Sequence, residues 1–338
     1  MAIKRRNPAE EPELVADKQV EQMVIDQAID MNIRINPDSI YKTQDKISNM
    51  LPQIFDKGEQ LLTTDTKQQT FTRVNISYEG LLNIDSSFTS FDSAVLSGVL
   101  SCVLQNMDIQ TNELKYFSIG ELYRAITGKT SESGISPNQI RKIIASIKKL
   151  SYTEVQIDLT NEADKYNFAL KPEELVISGP LIALETIRAK INGKMVLCFK
   201  PLSVPLLYRY ALPKHQLYSH DIALMRIDTI SKSENVISML DYLLKYISYL
   251  FYQQKNKKFV NNGLLFDTIY GLTDIAEFTN QNTIKSKKKR LKAELYKILD
   301  FWVDLGHLTS YEVVKRGKVD YKIIIHVNPN SPYPPKIV

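Results

Sequence analysis

The chain has 338 residues, of which 43% are hydrophobic and 24% charged, with 43 Lys and Arg against 38 Asp and Glu. This composition is typical of a globular protein with two domains and an appendage, and it excludes collagen-like and wholly disordered chains. Two cysteines and four histidines are too few for a disulfide framework or a zinc cluster, and no apolar run is long enough to span a membrane, so we expect a cytoplasmic protein without a cofactor.

Charge is distributed unevenly along the chain. Residues 1–65 contain about 8 basic against 12 acidic residues, whereas residues 226–338 contain about 18 against 11. A basic C-terminal part suggests an anionic partner such as nucleic acid.

The acidic segment, residues 1–65, contains a candidate short helix from Leu14 to Met31 and a polar stretch with Pro37 and Pro52. Nothing in it alternates cleanly enough to predict a strand. We interpret it as an accessory or partly ordered N-terminal arm; the alternative is a helix packed on the first domain.

Three helices are predicted at the start of the first domain, residues 66–215. They begin near Asp92, Ser118 and Ser136, each a favourable N-cap residue. The third helix carries an apolar stripe from Ile140 to Leu150. Its opposite face is a candidate DNA-binding surface, although a solvated surface is the alternative for a single amphipathic helix. That face holds Asn138, Gln139, Arg141, Lys142, Lys148 and Lys149.

Strands follow these helices. A period of two predicts a strand at 153–159, and Asn192-Gly193 predicts a hairpin between strands at 181–190 and 194–200. Three helices followed by a hairpin describe a winged helix, in which the hairpin flanks the third helix.

The second domain, residues 225–330, repeats this plan. A long helix begins at Ser233, a short helical piece is predicted at 273–278, and a third helix carries the basic run 285–292 ahead of an apolar stripe that ends near Trp302. A hairpin with three cations near its turn follows. A solvated helix face or a nuclear-localisation-like tract would also explain the basic run. The candidate DNA-binding cations are Lys285, Lys287, Lys288, Lys289, Arg290, Lys292, Lys315, Arg316 and Lys318.

The sequence contains no complete catalytic motif. Gly128-Lys129-Thr130 lacks the first glycine of a phosphate loop, because Tyr123 stands in its place. The pair His215 and His220 does not have the spacing that relaxases need. We therefore expect a binding protein and not an enzyme.

The whole pattern resembles plasmid and phage replication initiator proteins of the tandem winged-helix Rep class. The similarity covers roughly 91–328 and rests on Phe91-Asp92-Ser93-Ala94-Val95-Leu96, on Ser136-Pro137-Asn138-Gln139-Ile140-Arg141 and on the run 285–292. It implies an α+β fold of two tandem winged helices with an N-terminal arm. It also implies binding to direct repeats of double-stranded origin DNA, recruitment of host helicase or initiator proteins, and a homodimer formed through the first module, without nucleotide or membrane.

Two other classes stay open on the sequence. A transcriptional or partition regulator would use the same modules without initiating replication. A protein-interaction scaffold becomes preferable if the acidic arm covers the basic helix.

Overall fold

The computed structural model describes residues 38–45, 47–51, 59–65, 70–78, 88–107, 114–130, 134–166, 172–191, 194–255 and 263–338. Within these ranges the protein is a mixed α+β structure with four small antiparallel sheets. The predicted helix between Leu14 and Met31 and the predicted Asn192-Gly193 turn lie outside the described residues.

Two strands occur inside the segment that we expected to lack them. They are β1 (Ser39–Thr43) and β2 (Glu59–Asp65), and β3 (Thr70–Tyr78) follows. Strand β1 pairs along its whole length with β9 (Leu217–Asp221). Ile40 and Lys42 of β1 are both buried. The expectation of a strand-free segment was wrong, because a buried lysine hides the alternation that would otherwise mark β1.

The first unit contains the three predicted helices. Ser118 and Ser136 are N-caps as predicted, whereas Thr89 and not Asp92 caps the first helix, and each cap forms a capping box with the residue three positions later. In chain order the elements are α1 (Ser90–Gln105), β4 (Phe117–Ser118), α2 (Ile119–Thr127) and α3 (Pro137–Ser151).

The first unit contains two sheets. Besides β2, β3 and β4, their strands are β5 (Thr153–Asp158), β6 (Val176–Pro180), β7 (Leu184–Ile191) and β8 (Lys194–Pro201). The short helix α4 (Leu206–Ala211) follows β8. One sheet has the order β2-β3-β5-β6 and the other the order β4-β8-β7. The hairpin β7–β8 therefore pairs with the short strand that precedes α2.

The second unit repeats the helix, strand, helix, helix and hairpin of the first unit, but within the described residues it lacks the strands β5 and β6 that separate α3 from the hairpin there. Its elements are α5 (Glu234–Lys255), β10 (Gly263–Leu265), α6 (Phe266–Gly271), α7 (Gln281–Asp304), β11 (Leu308–Arg316) and β12 (Val319–Val327). Its sheet order, β10-β12-β11, matches β4-β8-β7 of the first unit. The helical piece predicted at 273–278 is a 3-10 turn, Asp274–Glu277, and α6 was not predicted. Strand β13 (Lys336–Ile337) pairs with β9.

Each unit has its own hydrophobic core. The first core gathers α1, α2 and α3, with Leu122, Ile140 and Ile143 among its buried residues. The second gathers α5 and α7 around Trp302, and it also includes Ile40 of β1. The segment between β9 and α5, residues 222–233, is here called the connection. It contributes buried apolar side chains to the second core: Ile222, Leu224, Met225, Ile227 and Ile230.

Candidate nucleic-acid interface

The N-terminal part of α3 presents a polar stripe to solvent. The Ser136 side chain caps the helix and Pro137 occupies its first turn, where a missing N–H costs nothing. The buried isoleucines on one side leave a stripe with helical spacing on the other. The exposed residues of this stripe are Asn138, Arg141, Lys142, Ala145 and Lys148.

Two predicted residues of α3 also contact the second unit. The Gln139 side chain completes the capping box, and its Nε2 donates to the Lys232 carbonyl at 3.1 Å. The Lys142 ammonium forms an ion pair with Glu234 at the start of α5. Both residues therefore lie where the first unit meets the connection and α5.

Lys149 is not on the exposed face where the sequence placed it. Its Nζ lies 3.0 Å from a carboxylate oxygen of Asp92, and both side chains are buried. Asp92 also accepts from Ser146 Oγ at 2.7 Å and from the Thr89 backbone at 2.8 Å. The carboxylate belongs to the α1 capping box, so Lys149 joins α3 to the start of α1. The predicted exposure was wrong because a buried partner on another helix cannot be read from periodicity.

We expect the adjacent lysines to behave differently on substitution. Lys149→Ala leaves the Asp92 carboxylate buried without its cation, which costs on the order of 3 kcal/mol. Lys148→Ala changes an exposed side chain and should stay within about 0.5 kcal/mol of wild type. Urea denaturation of both variants measures the difference, and equal stabilities would contradict the buried ion pair.

The first turns of α7 form the corresponding surface of the second unit. The Asn280 side chain accepts from the backbone N–H groups of Asn282 and Thr283, which starts the helix. The apolar stripe that begins at Leu291 anchors the rest of α7 in the second core. The exposed side chains of the first turns are Gln281, Asn282, Lys285, Ser286, Lys289 and Arg290.

Three cations of the basic run are held by neighbouring groups. Lys287 contacts Asp274 at 2.9 Å and lies 3.4 Å from the centre of the Phe278 ring. Lys288 lies over Tyr270. Lys292 donates to Asp320 of β12 at 2.7 Å, and this hydrogen bond raises the pKa of Lys292. These three side chains fasten α7 to its own unit, so they are less exposed than the pattern of the run suggested.

The β11–β12 hairpin places three further cations on the surface. Its turn uses Gly317 at a φ of 65°, a conformation that favours glycine. Lys315, Arg316 and Lys318 are exposed, and the Arg316 guanidinium lies 5.7 Å from the centre of the Tyr321 ring. The turn of this hairpin therefore adds three exposed cations to the surface of the second unit.

Helices α3 and α7 carry similar polar residues at two positions counted from their N-caps. Asn138 and Asn282 each occupy the second helical position, and Arg141 and Lys285 each occupy the fifth. Amide side chains at the start of a helix can pair with adenine, and cations there can reach guanine or phosphate. Sequence reasoning missed Gln281 and Asn282, although the N-cap Asn280 before them was a usable signal.

Candidate metal-binding groups are not gathered in the described part of the chain. Among those residues, no three His, Cys, Asp or Glu side chains come together as metal ligands would. Burial raises the pKa of the Cys198 thiol to about 11 and that of Cys102 well above its usual value. Burial also lowers the pKa of His307 to about 4, so this imidazole is neutral at pH 7.

No helix in the described ranges combines the length and the apolar character that crossing a bilayer requires.

Comparisons with known proteins give a limited likeness. No family model and no curated protein sequence matches the chain. Among solved structures, a crystal structure of domains 2 and 3 of RctB is similar at a TM-score of 0.39 and 13% identity, covering 83% of this chain and 98% of that one. A second crystal structure of RctB domains 2–3 is similar at 0.39 and 12% identity, covering 80% and 91%. A likeness at this level leaves the function to be argued from the chain's own residues.

Proposed function

We propose that the chain is a sequence-specific double-stranded DNA-binding protein made of two tandem winged helices. In each unit the third helix, α3 or α7, enters a major groove, and the hairpin, β7–β8 or β11–β12, contacts the adjacent backbone. Binding needs no cofactor and involves no catalysis.

One observation carries this proposal: α3 and α7 each expose an asparagine at the second position and a cation at the fifth. Each is the third helix after a helix, strand and helix, and each precedes a hairpin, which is separated from α3 by β5 and β6 and follows α7 directly. The N-terminal residues of a recognition helix are the ones that reach base edges. A solvated helix face would explain either helix alone, but it does not explain why both have the same arrangement.

Within this class we propose a replication initiator that binds direct repeats at the origin of a plasmid or other mobile element and recruits host helicase or initiator proteins. The sequence resemblance supports this choice. A transcriptional or partition regulator with the same two modules is the second candidate. Homodimer formation belongs to the same proposal.

The first experiment is selection of bound sequences from a random duplex library by the full chain, followed by footprinting. We expect two half-sites about one helical turn apart, roughly 34–36 Å, within a protected region of about 20 base pairs. A library that yields no enriched sequence would contradict sequence-specific binding.

A second experiment separates initiator from regulator. The coding sequence and an array of the selected site are placed on a circular DNA that has no other origin. Stable replication in a bacterial host would support initiation. Binding to the site without replication would favour the regulator.

A further inference from the structure

The connection, residues 222–233, is bonded to both candidate recognition helices. On the side of the second unit, Trp302 Nε1 of α7 donates to the Leu224 carbonyl at 2.8 Å, inside the core. Further along, Lys297 Nζ donates to the Thr229 carbonyl at 3.0 Å, and the Ser231 N–H donates to Glu294 at 2.9 Å. Three residues of α7 therefore hold successive parts of the connection.

The connection also contacts the first unit, at the turn between α2 and α3. Lys232 Nζ donates to the Thr127 carbonyl at 2.9 Å, while the Lys232 carbonyl accepts from Gln139 of α3. Burial, followed by the charge of Lys129, lowers the pKa of Lys232 to about 8, as expected for an enclosed amine. Lys142 of α3 pairs with Glu234, the residue after the connection.

A close backbone approach supports this contact. Gly128 ends α2 at a φ of 69°, and a Cβ there would lie 2.2 Å from the Met225 carbonyl oxygen. Only glycine allows the connection to pass so near the turn. The following helix continues the link, since Asn235 donates to Asp274 at 2.8 Å and Asp274 holds Lys287 of α7.

We propose that the connection is a spacer that fixes the separation and rotational phase of α3 and α7, so that the protein selects the interval between its two half-sites. Lys232 and Glu234 are positioning residues in this role. The inference rests on the proposed function, since it assigns to that DNA-binding activity a preference for spacing.

The contacts of the connection limit how far the two units can move relative to each other. A flexible linker would let the second unit bind at many intervals with similar affinity. Here buried apolar side chains and hydrogen bonds hold a short segment on α7, and hydrogen bonds hold it on α3 and on the end of α2. A change of one base pair, about 3.4 Å and roughly 34° of rotation, therefore cannot be absorbed by the linker.

The test has one arm without DNA and one with it. Spin labels are placed at Ala145→Cys on α3 and Ala293→Cys on α7, both exposed positions, while native Cys102 and Cys198 are buried. Interlabel distances are measured in the full chain and in the double variant Lys232→Met, Glu234→Gln. We expect a narrow distribution that broadens by about twofold in the variant.

The second arm measures affinity for selected sites whose half-site interval is changed by one base pair. We expect a loss of about tenfold for wild type and less than about threefold for the double variant. A second variant, Glu294→Gln with Lys297→Met, loosens the other side of the connection and should behave alike. The matched control, Lys165→Met with Glu154→Gln, alters exposed or half-exposed residues outside the connection and should match wild type.

Each outcome bears on one claim. An unchanged distance distribution and an unchanged spacing preference in both variants would overturn the spacer role while leaving DNA binding intact. Wild type that binds selected DNA equally at every interval would overturn it as well. If wild type bound no DNA sequence, the proposed function would fail and the spacing preference with it, whereas the distance measurements would still report whether the connection fixes the two helices.

Discussion

Replacing Lys285, Lys289 and Arg290 together by glutamine is expected to weaken binding of the full chain to its selected DNA by about 10²-fold or more. These three cations are exposed on the first turns of α7, whereas Lys287, Lys288 and Lys292 are engaged with neighbouring side chains. Good contacts to bases and phosphates contribute about 1–3 kcal/mol each, so the loss of three contacts exceeds the effect of any single substitution.

Salt dependence gives a second readout of the same variant. Each phosphate contact contributes about −0.9 to the slope of log affinity against log salt concentration. The exposed cations of α7 and of the β11–β12 hairpin predict a slope near −5 for wild type if all six reach phosphates. The triple variant should have a slope less steep by roughly 3, provided that the three cations contact phosphates.

A control removes the same number of charges elsewhere. Lys115→Gln, Lys165→Gln and Lys336→Gln lie outside α3, α7 and their hairpins. This control should bind within about threefold of wild type, because it loses only long-range attraction. Equal losses in the two triple variants would show that net charge and not the position of α7 governs binding.

Asp241→Asn is expected to destabilise the protein by about 3–5 kcal/mol. The Asp241 carboxylate on α5 lies 2.5 Å from Nζ of Lys42 on β1 and 2.9 Å from Nζ of Lys245, and all three side chains are buried. The asparagine keeps the shape and removes the charge, which leaves two buried ammonium groups without a counterion.

The pKa of Asp241 follows from this arrangement. Burial alone would raise its pKa, but Lys245 and Lys42 outweigh burial and lower the pKa to about 2. Since the folded-state pKa lies below the usual value of 3.8, the stabilisation is present above about pH 4 and is lost as the pH falls towards 2. Denaturant midpoints measured for wild type and Asp241→Asn across this range should converge at acid pH.

Two comparisons test the charge argument. Asp304→Asn on the exposed end of α7 should stay within about 0.5 kcal/mol of wild type. The double variant Lys42→Met, Asp241→Asn removes one of the stranded cations and should recover part of the lost stability. If Asp241→Asn were as stable as wild type, the three charges would not form a buried group.

Local sequence signals determined much of the secondary structure. Ser118 and Ser136 predicted two helix starts because capping depends only on residues within one turn. The apolar stripe of α3 and the turn before β12 were predicted for the same reason, since periodicity and turn chemistry act over short distances. Taken in succession, these signals predicted three helices and a hairpin in the first unit and, apart from α6, the same elements in the second.

The tertiary structure decided which polar residues are exposed. The helical spacing placed Lys149 on the basic face of α3, but its side chain is buried in an ion pair with Asp92 of α1. Lys42 made β1 look unlike a strand, although Asp241, far away in sequence, allows its burial. Periodicity assigns a charged side chain to the surface because an unpaired buried charge is costly, and only the fold shows where a distant partner removes that cost.

The contacts that join the two units were also visible only in the tertiary structure. The sequence presented the stretch before α5 as a connecting segment, whereas its hydrogen bonds to Thr127, Gln139, Glu294 and Trp302 show a segment held on both sides. Several of these hydrogen bonds are accepted by backbone carbonyls. Because every residue has a backbone carbonyl, no sequence pattern predicts these bonds. The sequence by itself predicted α1, α2, α3, α5, α7 and the two hairpins in their order, and the packing of distant residues decided how the two candidate recognition helices are joined.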